Sequence, residues 1–298
     1  MPTIPPSSLH EFAVAGPEAG PYGITAGPDG AMWLTLVNSG EIARLSLDGR
    51  IDVHSLDAPG CGPTVITPGP DGALWFTRFR DHRIGRIATD GSALLFETPT
   101  PDSGPYGIAA GPDGAIWFTE PNVDRIGRIS PAGETVDFPL PVERAFPSAI
   151  TEGPDGAMWF TLHQANALGR ISLDGAVTVH PLPTADAGPV GITRGGDGAV
   201  WFVEIAAGQV GRIDPDGRIR EFPLPDRAAR PHAITAASDG GCWFSEWGAG
   251  RIGHIAPDGE ITRYALPRPA SEPHGIAVGP DGAVWTALEA GGVVRLVP

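Results

Sequence analysis

The segment PYGIAAGPDGAIWFTEPNVDRIGRISPAGETVDFPL, Pro105 to Leu140, decides the fold. Tyr106 to Ala110 is a short apolar run. Gly111-Pro112-Asp113-Gly114 reads as a tight hairpin turn, with glycine supplying positive φ. Ala115 to Thr119, centred on Trp117, is a second run. A loop leads to Arg125–Ser130, Pro131-Ala132-Gly133 turns the chain, and Glu134 to Phe138 is the fourth. Runs of about five residues divided by such turns predict a four-stranded antiparallel meander.

Working outward, Trp117 belongs to a series of seven tryptophans, Trp33, Trp75, Trp117, Trp159, Trp201, Trp243 and Trp285, spaced 42 residues apart. Trp247 alone is off the grid. Seven copies fill 294 of the 298 residues, so the repeat is the protein. A strand-rich unit of about 40 residues copied in tandem predicts a closed ring. The expected fold is therefore all-β: a single-domain seven-bladed β-propeller, residues 1–298, of four-stranded antiparallel blades. The last copy stops at Pro298 without its fourth strand, while Phe12 stands 21 residues before Trp33 as Phe222 stands before Trp243. His10 to Val14 should thus add to Val293–Val297 and close the ring, removing an exposed sheet edge.

Hydrophobic residues at 41% suffice for a large core, and the 42 glycines and 33 prolines recur at fixed repeat positions as turn punctuation. A net charge of −15 argues against nucleic acid or anionic membranes as partners and leaves room for a bound cation. Cys61 and Cys242 occupy different repeat positions, which does not suggest a disulfide. Met1 to His10 lacks a basic segment followed by an apolar run, and no stretch approaches membrane-spanning length. The expectation is a soluble, cytoplasmic protein.

Aligned copies become columns. Phe12, His54, Phe96, Phe138, His180, Phe222 and Tyr264 form an aromatic packing site on the outer strand, which makes His54 and His180 structural. Arg44, Arg86, Arg128, Arg170 and Arg212 repeat on the third strand, with His254 standing in for arginine. Eleven residues before each tryptophan the column reads Tyr22, Thr64, Tyr106, Ser148, Val190, His232, His274. Such variety shows that packing does not dictate this position, which opens the innermost strand beside the axis. Two more columns should reach the same mouth. Four after the tryptophan stand Val37, Phe79, Pro121, His163, Ile205, Trp247 and Glu289; thirteen before stand Gly20, Gly62, Gly104, Phe146, Gly188, Arg230 and Glu272. Glu272, His274, Glu289 and His232 should therefore converge in one sector, flanked by Trp247 and Tyr22. Two carboxylates with water can hold Mg²⁺. A neutral imidazole beside them suits a general base, and aromatic walls suit a bulky, partly apolar ligand. A lone loop glutamate is ordinarily just solvated; the clustering of four departures from the repeat argues otherwise here. His163 lies across the channel. Glu120, Glu204 and Glu246 either line the channel or, as the preferred reading, pair with the repeated arginines.

The segments Pro231-His232-Ala233-Ile234-Thr235, Phe244-Ser245-Glu246-Trp247-Gly248 and Ser271-Glu272-Pro273-His274-Gly275-Ile276, with Glu289 downstream, resemble the virginiamycin B lyase family over essentially the whole chain. The SEPHGI segment is the specific part; the GPDG and RIGRI phrases occur in many propellers. The resemblance implies a monomeric, Mg²⁺-dependent carbon–oxygen lyase that opens the lactone of streptogramin B antibiotics, cyclic depsipeptides, by elimination. It implies Glu272 and Glu289 as metal ligands, His274 as proton acceptor and His232 as a substrate-binding residue, with Tyr22 and Trp247 near the substrate. In that chemistry His274 takes the threonyl α-proton and the ester carboxylate leaves from the β-carbon. Two other readings of the same residues are a metal-dependent lactone hydrolase and a non-catalytic propeller that binds peptides or proteins.

Overall fold

The computed structural model describes residues 8–16, 18–268 and 270–298. Its strands form seven separate four-stranded antiparallel sheets. Blade 1 runs Pro21–Ala26, Met32–Leu36, Glu41–Leu45, Ile51–Ser55 from axis to rim, and the later blades repeat this order. Blade 7 runs Pro273–Val278, Val284–Leu288, Gly292–Val297 and takes its outer strand from the chain start, Ser8–Ala13. The closing register pairs Phe12 with Val293 and His10 with Arg295. Strict 42-residue spacing from the Tyr264–Ile252 pair would set Phe12 against Val294. The one-residue difference arises because blade 7 is a residue short after its second strand, so that Trp285 faces Arg295 ten residues on where Trp243 faces His254 eleven on. The leader reading concerns Met1–His10, of which residues 1–7 lie outside the described residues.

Six of the seven blades are held by the same polar device. In blade 3 the turn aspartate Asp113 accepts from Trp117 Nε1 at 3.1 Å and from Arg128 Nε at 2.7 Å. Blades 1, 2, 4, 5 and 7 repeat it with Asp29, Asp71, Asp155, Asp197 and Asp281. In blade 6 His254 does replace the arginine, its Nε2 lying 3.1 Å from Asp239 Oδ2. The expected aromatic column stacks on the tryptophans: His54 on Trp33 at 5.6 Å, His180 on Trp159 at 5.2 Å, and Phe12 on Trp285 at 5.5 Å. His54 and His180 are thus packing residues. Both cysteines are buried and free.

A second device joins neighbouring blades. A hydroxyl two residues after the tryptophan accepts a backbone N–H from its own inner strand and donates to a carbonyl on the next blade's inner strand. Thr35 takes Gly23 N–H at 2.8 Å and gives to Thr64 O at 2.5 Å; Thr119, Thr161 and Ser245 do likewise. Blades 5 and 7 have Val203 and Ala287 at this place and lack the link. Among the described residues no helix is long and apolar enough to cross a membrane.

Candidate active site

The site begins with a break in strand pairing. In six blades the register between the two innermost strands shifts just after the strand start, between Pro21 and Ile24 in blade 1, Pro231 and Ile234 in blade 6, and Pro273 and Ile276 in blade 7. Such bulges re-aim side chains, and the residue within each is the variable one: Tyr22, His232 or His274. Blade 3 departs from the others. Its inner strand is only Ile108–Ala110, shorter than the predicted Tyr106–Ala110. Pro121, at the rim position, has no N–H to give the mouth hydrogen bond that the other blades make.

That hydrogen bond ties two of the predicted columns together. Val37 N–H bonds Gly20 O at 2.9 Å, Trp247 N–H bonds Arg230 O at 3.1 Å, and Glu289 N–H bonds Glu272 O at 3.2 Å. The loops carrying Glu272 and Glu289 therefore meet through their backbones. Glycine at the first of these columns has φ from +59° to +65°. Phe146, Arg230 and Glu272 occupy the same left-handed conformation at φ 50°, 50° and 48°. A side chain there costs about 1 kcal/mol or more, and Glu272 projects from such a position exposed to solvent.

Four of the six candidate residues form one aromatic cluster. The His274 ring lies 4.4 Å from Tyr22, 4.6 Å from His232 and 6.2 Å from Trp247. Glu289 joins it, with Oε2 2.9 Å from His274 Nε2. A carboxylate only accepts, so His274 Nε2 carries the proton and the buried Nδ1, which has no protein partner, keeps its lone pair. Burial holds His274 down to about 4, and burial together with the nearby His274 holds His232 down to about 3. Both rings are neutral near pH 7. Close approach fixes the local sequence as well: a Cβ on Gly275 would come within 2.5 Å of Tyr22 O on the neighbouring blade. Trp247 opens a single 3-10 turn, Trp247–Ala249, and its Nε1 is buried without a partner, a donor free for a ligand.

Glu272 is the loosest member, joined to the cluster through its backbone. Among the described residues no three His, Cys, Asp or Glu stand placed to hold a metal ion. The donor set fits an ion that keeps most of its own water and takes one or two carboxylates, as Mg²⁺ does, and it does not fit a closed protein cage. A cavity of about 160 Å³ opens at the cluster, lined by Tyr22, Tyr106 and His232 and, deeper, by a ring of isoleucines that includes Ile24, Ile150 and Ile276. That volume is below the roughly 300 Å³ usual for a drug-sized ligand site.

Two expectations need correction or placement. Glu120, Glu204 and Glu246 are fully buried and do not pair with the repeated arginines, because the turn aspartates already hold those guanidinium groups. Glu246 faces a different arginine, with Oε2 2.8 Å from Arg251 Nε. Burial, reinforced by Asp137, pushes Glu120 up to about 8; burial, with Glu221 adding to it, does the same for Glu204. His163 lies across the mouth as expected, 6.1 Å from Phe146 and with Nδ1 3.3 Å from Pro189 O. It still bears on the site, since its proximity helps to depress His232. Sequence reasoning passed over Ser245, whose hydroxyl takes Ala233 N–H at 3.0 Å and gives to His274 O at 2.7 Å. The signal was available: a hydroxyl residue recurs two after the grid tryptophans.

Known proteins share this sequence pattern and fold. A streptogramin B lyase structure is 43% identical, covers 97% of each chain and superposes with a TM-score of 0.93. A catalytically inactive His→Ala variant of virginiamycin B lyase from Staphylococcus aureus, solved with quinupristin, is 42% identical with a TM-score of 0.94, covering 98% of this chain and 99% of that one. Virginiamycin B lyase of Saccharopolyspora erythraea matches at 60% identity over 50 residues, a stretch spanning 17% of each sequence. The model of the virginiamycin B lyase family matches residues 7–296, and the chain therefore belongs to that family.

Proposed function

We propose that the protein is a lyase that linearises streptogramin B-type cyclic depsipeptides by elimination at the threonyl ester. The observation that carries this reading is the cluster at the mouth: a neutral His274 with Nε2–H held by Glu289 and a free Nδ1 lone pair, walled by Tyr22, His232 and Trp247. The relatives of known structure that cover nearly the whole chain include a streptogramin B lyase and a variant solved with quinupristin.

In this reading the macrocycle lies over the tunnel mouth with its threonyl Cα–H toward His274. His274 accepts the α-proton, and Glu289 stabilises the resulting imidazolium through their hydrogen bond. Electrons from the Cα–H bond form the Cα–Cβ double bond as the Cβ–O bond breaks. The products are a free carboxylate and a dehydrobutyrine unit in one linear chain. His232 and the unpartnered Trp247 Nε1 orient the ligand's carbonyl groups. Glu272 and the second oxygen of Glu289 would hold Mg²⁺, which supplies Lewis-acid polarisation of a carbonyl oxygen when bound. We read the protein as acting alone and in the cytoplasm, without nucleic acid or membrane partners.

Mass spectrometry of quinupristin after incubation with the protein and Mg²⁺ tests the proposal. Elimination gives a linear product of unchanged mass, hydrolysis adds one water, and an intact ring argues for a binding propeller. His274→Ala should lower turnover by roughly 10²- to 10⁴-fold, the usual worth of a positioned base; retained turnover removes it from that role.

A further inference from the structure

Tyr106 occupies the same variable inner-strand column in blade 3, two blades from Tyr22. Between them blade 2 carries Thr64, a small buried residue whose hydroxyl turns inward to Thr77 Oγ1 at 2.7 Å. The space left above Thr64 lets the two phenols meet across it. Their hydroxyls hydrogen-bond to each other, and their rings stand edge to face at 6.3 Å. Tyr106 is braced from behind by Phe79 of the column four residues after the tryptophan, edge to face at 6.4 Å. On the other side the Tyr22 ring lies 4.4 Å from His274 and 6.0 Å from His232. A continuous chain of contacts thus runs from Phe79 through Tyr106 and Tyr22 to the candidate base.

Proton counting adds a second point. Two phenols carry two O–H groups, and the bond between them uses one. The other remains available at the mouth, where burial keeps both groups protonated by raising them above the ordinary phenol range. A neutral donor held in place by a hydrogen bond is well suited to a carbonyl oxygen that gains negative charge as the adjacent α-proton leaves.

We propose that Tyr106 is a positioning residue of this site: its hydroxyl fixes the Tyr22 phenol beside His274, and the pair presents its one free O–H to a carbonyl oxygen of the cyclic depsipeptide. The inference rests on the lyase reading and adds a residue to it. It is the hydrogen bond, and not the ring, that matters, so Tyr106→Phe is the informative change; Tyr22→Phe removes the same bond from the other end.

The experiment measures kcat and KM for quinupristin linearisation by the unmodified protein, both single variants and the double variant, with thermal midpoints alongside. Tyr106→Phe should lower kcat by roughly 10- to 100-fold with little change in midpoint, and the double variant should be no worse than the poorer single one. A purely structural role would move the midpoint and leave the two losses multiplicative. Kinetic constants of Tyr106→Phe within about two-fold of the unmodified protein, or multiplicative losses, overturn the proposal. Absence of turnover by the unmodified protein overturns it together with the lyase reading, and so separates the two failures.

Discussion

Ser245 offers a direct test of how the ring positions its chemistry. It is fully buried, and its hydroxyl bridges the strand that bears His232 to the one that bears His274, through Ala233 N and His274 O. Ser245→Ala removes both hydrogen bonds and strands a half-buried N–H and a buried carbonyl. At about 1 kcal/mol per net bond, plus part of the desolvation cost of the orphaned groups, the loss should be about 2–4 kcal/mol. Thr161→Val breaks the equivalent link between blades 4 and 5, from Ala149 N at 3.1 Å to Val190 O at 2.8 Å, and should destabilise to the same degree. Only Ser245→Ala lets His232 and His274 drift from their 4.6 Å contact. Small misplacements of reacting groups cost up to about 10²-fold, so its turnover should fall at least about 10-fold, while Thr161→Val stays within about two-fold. Urea unfolding and steady-state linearisation, run on both variants, read the two effects separately. Equal turnover in the two variants refutes the idea that this link aligns the histidines; unchanged stability in both refutes the role of the hydroxyl in joining blades.

Further expectations follow from the same geometry. Val203→Thr supplies the hydroxyl missing between blades 5 and 6, beside His232 O, and should raise stability by about 1 kcal/mol; a lower urea midpoint means the hydroxyl finds no partner. Glu120 and Glu204 stay protonated in the fold up to about pH 8, whereas the unfolded chain releases those protons near its ordinary 4.5. The folded state therefore binds more protons between these values, and stability falls as pH rises from about 4.5 to about 8. Glu120→Gln and Glu204→Gln should flatten that decline, by on the order of a few kcal/mol each at pH 9. Unfolding curves at pH 5, 7 and 9 that match the unmodified protein count against it. Glu272→Gln should shift the Mg²⁺ titration of activity to higher concentration, and Glu272→Gly should also relieve its left-handed backbone, holding or raising stability by up to about 1 kcal/mol. An unchanged titration removes Glu272 from the ligand set.

Much of this was legible in the chain because a propeller is a repeat. Once the tryptophan grid is set, strand order, ring closure and the aromatic column are arithmetic, and the strand of Phe12 joins blade 7 as predicted. Positions that break the repeat stand out against it, which is why His232, His274, Trp247 and Glu289 could be placed at one mouth before any coordinates. The buried glutamates were misread because spacing gives only height along a strand. It does not say which of two acidic groups, Asp113 in the turn or Glu120 at the strand end, lies within reach of Arg128.

The sequence by itself determined the architecture and the sector of the site, since both follow from covalent periodicity and local turn chemistry. The tertiary structure decided what periodicity cannot express: the bulge that turns the variable residues toward the axis, the Glu289 contact that assigns the His274 proton, and the Tyr22–Tyr106 bond over Thr64. Each depends on side-chain directions and on distances between separate blades. Such distances are set by how blades pack around the tunnel, and 42-residue spacing is blind to them.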